Sequence, residues 1–208
     1  TFMDKASMLV AHVVDPQPGE RILDCCAAPG GKSMHMASLM NNTGAIMSCD
    51  IYDHKLELMN QNADRLGISI ISTKLQDGRH LPDNWKEQFD RVLVDAPCSG
   101  LGILQKKLDM RWRKTESLLI ELPPLQLEIL EKASEMVKAN GYLVYSTCTM
   151  NSGENEAVLN KFLAIHKNFI IDPVSYKGAP QAIDGMITTY PPRDHMDGFF
   201  MARMKRLS

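Results

Sequence analysis

No apolar run in this chain approaches the roughly 18 uninterrupted residues that a membrane span requires. The N-terminus also lacks a basic segment followed by an apolar stretch, so neither a membrane helix nor a secretory signal is expected. Paired cysteine motifs are missing as well. Cys25, Cys26, Cys49, Cys98 and Cys148 form an odd set, without a C-x-x-C pair or the regular spacing of a zinc site or disulfide scaffold. Reduced thiols and a cytoplasmic location follow. The six histidines are scattered, none at helical metal-ligand spacing, and no metal is expected. There is little excess of charge: the formal net charge is −2, which excludes a surface built throughout to hold nucleic acid and leaves that task to local patches or to a part not present here. Repeats and linkers rich in Ser, Gly or Pro are also absent. What remains is a 208-residue chain, 44% hydrophobic, able to bury a core as one domain over residues 1–208. Its fourteen methionines fall mostly on apolar faces, where they fill core.

Short β-rich runs alternate with longer helical patterns, which predicts an α/β domain whose mostly parallel sheet is covered by helices. Arg21–Cys25 reads as the first strand, followed by the glycine-containing loop Ala28-Pro29-Gly30-Gly31 and a helix over Lys32–Met40. Ala45–Asp50 is the second strand, followed by a helix with Leu56, Met59, Ala63 and Leu66 on one face and Gly67 as its stop. Ile68–Leu75 is the third, running into Asp77, and Arg91–Asp95 is the fourth. From Pro124 to about Asn140 the apolar residues recur at helical spacing, with Gly141 as the stop, and Tyr142–Ser146 is the fifth strand. Asn151-x-x-Glu154 reads as a capping box that opens a helix through His166. Phe169–Ile171 and Phe199–Ala202 close the sheet, and Tyr176–Pro192 reads as a long irregular segment.

Ligands of open α/β sheets bind beyond the C-terminal strand ends, where this chain would collect residues 26–32, Asp50, Asp77 and Asp95. Glycine lets the backbone approach a ligand closely, and a carboxylate at the end of the second strand can accept hydrogen bonds from both hydroxyls of a ribose. A P-loop fails on spacing, because the position that needs its first glycine is Cys26, and G-x-G-x-x-G is absent. A tight strand-to-helix turn with helix-capping acids would explain each feature singly. Jointly they point to an adenosine moiety, with Asp50 on the ribose, Asp77 near the adenine amino group and Asp95 facing the reacting end.

Cys98 and Cys148 follow strand ends on this same edge. Cys25 and Cys49 lie within strand patterns and read as inert core, and Cys26 as part of the loop. A thiol beside a methyl-sulfonium cofactor suits a pyrimidine substrate, because carbon 5 of cytosine is too weakly nucleophilic to take a methyl group unaided. Addition of a thiolate to carbon 6 gives carbon 5 enamine character, and loss of the carbon 5 proton later expels the thiol. The residues themselves leave open which cysteine attacks.

Four segments then carry a family resemblance: Asp24-Cys25-Cys26-Ala27-Ala28-Pro29-Gly30-Gly31-Lys32, Asp95-Ala96-Pro97-Cys98-Ser99-Gly100, Ser146-Thr147-Cys148-Thr149 and Asp197-Gly198-Phe199-Phe200. In this order they resemble the NOL/NOP/Sun family of RNA cytosine-5 methyltransferases over nearly the whole chain. The resemblance implies a class I methyltransferase (Rossmann-like) fold with a seven-stranded sheet, and S-adenosylmethionine as cofactor. It implies Cys148 as nucleophile, Cys98 as the residue that assists product release, and Asp95 on the cytosine edge. Cys26, Ala27, Ala28, Pro29, Gly30, Gly31, Lys32, Asp50, Asp77 and Asp95 would contact the cofactor. Leu101-Gly102-Ile103-Leu104, with Lys106, Lys107, Asp109 and Arg111-Trp112, is most similar to bacterial Sun-type enzymes that modify 16S ribosomal RNA. The start at Thr1 fits a fragment lacking the N-terminal RNA-binding domain of that branch. The same chemistry on transfer RNA is the alternative substrate, and a non-catalytic RNA-binding or assembly protein the alternative class.

Residues 105–114 carry five basic side chains against one acid, together with Trp112. Lys106, Lys107, Arg111, Trp112 and Arg113 are the expected RNA contacts, through phosphates and stacking on a base. A solvated face would explain the same cluster. The expected partner is therefore RNA, with no membrane, no metal and a monomeric chain.

Overall fold

A computed structural model describes residues 3–106 and 116–208. Its strands are β1 (Arg21–Asp24), β2 (Ala45–Asp50), β3 (Ile71–Leu75), β4 (Phe89–Asp95), β5 (Val137–Thr147), β6 (Phe169–Ile171), β7 (Met186–Thr188) and β8 (Phe200–Arg206). They form one sheet in the order β3-β2-β1-β4-β5-β8-β6, with β7 also on β8. The pairs from β3 through β5 are parallel and β8 is antiparallel to its neighbours, so the sheet is mostly parallel, in the Rossmann-like α/β arrangement expected. The strand count is a correction: eight among the described residues, not seven. β7 lies in the segment read as irregular, too short for a period-2 pattern, and exists because β8 is long enough to be shared. β7 takes Phe200–Ala202 and β6 takes Met204–Arg206.

Side chains alternate across the sheet as strand geometry requires. Ile22, Ile46, Leu93, Val144 and Met201 pack with α1 (Lys5–Val14) and α2 (Gly31–Leu39), whereas Leu23, Val92, Leu143, Tyr145 and Ala202 pack with α4 (Glu116–Ser134) and α5 (Glu156–Ile165). α3 (Asp53–Leu66) covers the β2–β3 side through Leu56, Met59 and Ala63, and Gly67 ends it as expected. A short α6 (Pro191–Asp194) precedes β8. Among the described residues no helix is long and apolar enough to cross a membrane.

The fourth helix departs most from expectation. It begins before Pro123 and Pro124, which lie inside it, and ends at Ser134. Val137–Asn140, expected as its last turn, already belongs to β5. Phe89 pairs with Val137 and Arg91 with Tyr142, so an irregularity between them absorbs the extra residues around Gly141. Gly141 therefore marks a strand irregularity and not a helix stop. The third strand starts at Ile71, three residues later than expected, and the closing strand runs on to Arg206. Of the C-terminal basic residues, Arg203 and Arg206 pair with Asp172 and Glu87 at 2.5 Å each, stitching β8 to its surroundings.

Phe162 is fully buried under the sheet, edge-on to Phe169 at 5.4 Å and stacked on His166 at 4.4 Å. Phe162→Ala should cost about 3–5 kcal/mol, read as a lower midpoint in urea unfolding; a midpoint near that of the parent chain would show that this face is not part of the cooperative core.

Candidate active site

Parallel pairing of β4 with β5 sets Asp95 opposite Ser146, so the loops that leave these strands emerge side by side. Ser146 Oγ donates to Asp95 Oδ1 at 2.8 Å. Three residues beyond Asp95 stands Cys98, and two beyond Ser146 stands Cys148, and their sulfurs meet at 3.2 Å. The Cys148 backbone N–H donates to Cys98 Sγ at 3.3 Å. From the start of α2, Lys32 reaches Asp95 at 2.6 Å, with 15% of its side chain exposed. Burial works against the Lys32 charge, but the Asp95 carboxylate outweighs it and holds the ammonium above the ordinary lysine range.

The two thiols are driven apart in acidity. The hydrogen bond with Cys98 lowers the pKa of Cys148, and the nearby Lys32 charge helps against burial and Asp95. The contact with Cys148, together with burial, pushes Cys98 well above the usual range. Burial likewise raises Cys25, Cys26 and Cys49, the last to about 12, so they hold their protons. Only the thiolate is strongly nucleophilic, which distinguishes Cys148 within the set.

Behind the thiols lies a cavity of about 520 Å³, within the usual size for a small-molecule site. Cys26, Ala28, Asp50, Asp77, Asp95, Cys98 and Cys148 all line it. Each oxygen of Asp50 accepts one backbone N–H, from Tyr52 and from Ala28, both at 3.1 Å, which fixes the carboxylate and leaves lone pairs for a ribose. Ile51, Ala96, Pro97, Leu125 and Ile129 supply apolar wall. This donor set fits S-adenosylmethionine: a carboxylate for the ribose, apolar faces for a flat base, and Asp95 for a cationic sulfonium. Asp77 is less free than expected. Arg79, which sequence reasoning missed, holds both its oxygens from Nε and Nη2 at 2.6–3.1 Å.

Ala27, Pro29, Gly30, Gly31 and Lys32 support this cavity without lining it. Gly30 caps α2 at a φ of 95°, and a Cβ there would stand 2.6 Å from Met59 Cγ, so it serves helix packing as well as the turn. Gly31 lines a different cavity, of about 500 Å³, beside Met3, His35 and Ile68, away from the thiols. Beneath the loop, Asp24 is buried, accepting from Ser33 Oγ at 2.6 Å, with its other oxygen unpartnered.

The Asp197-Gly198-Phe199-Phe200 segment supports Cys148 from the other side. The Gly102 N–H donates to the Cys148 carbonyl at 3.0 Å, and the Gly198 N–H donates to the Gly102 carbonyl at 2.9 Å. A Cβ on Gly102 would fall 1.8 Å from the Gly198 oxygen, so this contact requires glycine. The Phe199 ring lies 5.4 Å from Lys32 Nζ. Lys106 binds Asp4 and, at 3.1 Å, Asp197, and is 57% exposed. Lys107, Arg111, Trp112 and Arg113, expected on RNA, lie outside the described residues.

A family model for the 16S rRNA methyltransferase RsmB/F matches residues 11–205. The Bacillus subtilis (strain 168) protein described as "Probable ribosomal RNA small subunit methyltransferase B" is 42% identical over 99% of this chain and 47% of its own length. The Homo sapiens 28S rRNA (cytosine(4447)-C(5))-methyltransferase is 36% identical over 98% of this chain and 27% of its own. Among solved structures, that of NSun6 from Pyrococcus horikoshii with SFG superposes with a TM-score of 0.88 at 31% identity, covering 99% of this chain and 53% of that one. The chain thus spans about half the length of the bacterial relatives it matches.

Two measurements check the electrostatics. Iodoacetamide should modify Cys148 before Cys98, and Cys98→Ala should move the Cys148 alkylation profile to higher pH; an unmoved profile would deny the thiol contact its effect. Burial raises the Asp24 carboxyl from 3.8 to about 7, so between these values the folded chain binds the extra proton. Its contribution to stability is full below pH 4 and declines as pH rises toward 7. Asp24→Asn should remove that decline from urea midpoints measured across pH 4–8.

Proposed function

This chain belongs to the 16S rRNA methyltransferase RsmB/F family, and from that premise we propose that it transfers a methyl group from S-adenosylmethionine to carbon 5 of a cytosine in 16S ribosomal RNA. The observation that carries the reading is the thiol pair, 3.2 Å apart and lining the same cavity as Asp50 and Asp95. S-adenosylmethionine, when bound, supplies an electrophilic methyl group, and Cys26, Ala28, Asp50, Asp77 and Asp95 would hold it.

The chain's own residues account for the rest. Cys148, the thiol with the lowered pKa, forms a bond from Sγ to carbon 6 of cytosine, and the electron pair of the 5,6 double bond shifts to carbon 5. Carbon 5 is then nucleophilic enough to accept the methyl group. Asp95, held by Ser146 and Lys32, would take the hydrogen-bonding edge of the base. Loss of the carbon 5 proton to a base restores the double bond, and the electron pair of the carbon 6–sulfur bond leaves with Cys148 as thiolate. Cys98, beside the leaving sulfur, assists this release. Lys106, Lys107, Arg111, Trp112 and Arg113 are proposed to meet the RNA.

Cys148→Ala should abolish transfer of labelled methyl groups to 16S ribosomal RNA, whereas Cys98→Ala should accumulate a covalent protein–RNA adduct on denaturing gels. Retained transfer by Cys148→Ala would overturn the assignment of the nucleophile, and preferential labelling of transfer RNA would redirect the substrate.

A further inference from the structure

Glu154, which the sequence presents as half of a capping box, does something else in the fold. Its side chain is fully buried and does not turn back to the Asn151 backbone. It accepts from the Ser99 backbone N–H at 2.8 Å, Ser99 Oγ at 2.5 Å, Gln126 Nε2 at 3.0 Å and Asn151 Nδ2 at 3.0 Å. Four donors saturate an acceptor-only carboxylate, and none of them is a cation. Burying a carboxylate without a charged partner is costly, and the cost is met only if every donor stays in place.

The donors are placed around one residue. Gln126 Nε2 also donates to the Pro97 carbonyl at 2.9 Å, so Glu154 and Gln126 hold the residue before Cys98 and the residue after it. Ser99 Oγ in turn meets Thr149 Oγ1 at 2.8 Å, beside Cys148. The neighbouring Asn155 secures the other loop, accepting from Thr147 Oγ1 at 2.6 Å and donating to the Thr149 carbonyl at 3.0 Å. Glu154 and Asn155 are adjacent in the chain, so one short turn ahead of α5 grips both cysteine loops.

We infer that Glu154 is a positioning residue that holds Cys98 against Cys148, acting through the Ser99 backbone and hydroxyl and touching neither sulfur itself. The inference rests on the roles proposed above for the two cysteines. Without the carboxylate the loop over residues 97–99 loses its anchor, and Cys98 no longer stays within hydrogen-bond reach of Cys148. Two consequences follow: Cys148 loses the contact that lowers its pKa, and Cys98 is out of place for release.

Glu154→Gln presents an amide N–H₂ where donors converge, keeping the size of the side chain. With S-adenosylmethionine and 16S ribosomal RNA, this variant should lose about 10²-fold in turnover. It should accumulate the covalent adduct as Cys98→Ala does, bind S-adenosylmethionine by calorimetry as the parent does, and show Cys148 alkylation displaced to higher pH. In the double variant with Cys98→Ala, neither adduct level nor alkylation should change further. Adduct formation and turnover that fall together, in step with the melting temperature and with an unmoved alkylation profile, would reduce Glu154 to a purely structural residue and overturn the inference. If Cys98→Ala itself accumulates no adduct, the release role fails, and the Cys148 alkylation profile, which needs no RNA, decides the inference alone. Should Glu154→Gln not fold, Ser99→Ala removes one arm of the same clamp and is judged by the same readouts.

Discussion

The register between β4 and β5, with Asp95 opposite Ser146, is the constraint from which the site is built. Parallel strands end at the same edge of a sheet, so the segments that follow them meet there without further design. A one-residue slip would turn Asp95 and Ser146 to opposite faces and separate the sulfurs. The register is protected by burial on both sides, because Val92, Val94, Leu143 and Tyr145 point to one layer of helices while Leu93 and Val144 point to the other. The candidate site therefore inherits its precision from the hydrophobic core.

Holding two loops at that edge requires polar groups to be buried, and each must be satisfied. Ser99, Thr149, Glu154 and Asn155 are all buried and bonded, and with the Nε2 of buried Gln126, whose Oε1 has no partner, they tie the loops to each other and to α4 and α5. The chain of hydrogen bonds from Gly198 through Gly102 to Cys148 does the same from β8. Charge is treated with similar economy: Lys32 and Asp95 compensate each other next to the thiols, so the ammonium remains available to Cys148 without being an isolated buried ion.

Strand positions were legible wherever the apolar run was long and buried, as for β2, where the expected Ala45–Asp50 is the observed strand. Legibility failed where the cause was not local. β7 is held by the spare edge of β8, and nothing in three residues announces that. The end of α4 was misread because Met136 and Val137 are as apolar in a strand as in a helix, and only the pairing of Phe89 with Val137 decides between them. Glu154 shows the same limit within the site, since its spacing from Asn151 matches a helix cap while its partner Ser99 stands 55 residues away.

By itself the sequence determined the chemical inventory: which strand ends carry acids, which cysteines lie outside strands, and an order of motifs specific enough to identify a family. These properties are local, and residue type and spacing are enough to express them. Only the tertiary structure decided that Cys98 and Cys148 touch, that this contact lowers the pKa of Cys148, that Arg79 holds Asp77, and that Gly102 and Gly198 must both be glycine. Each of these depends on distances between segments remote in the chain, set by strand register and by buried hydrogen bonds that no local pattern encodes.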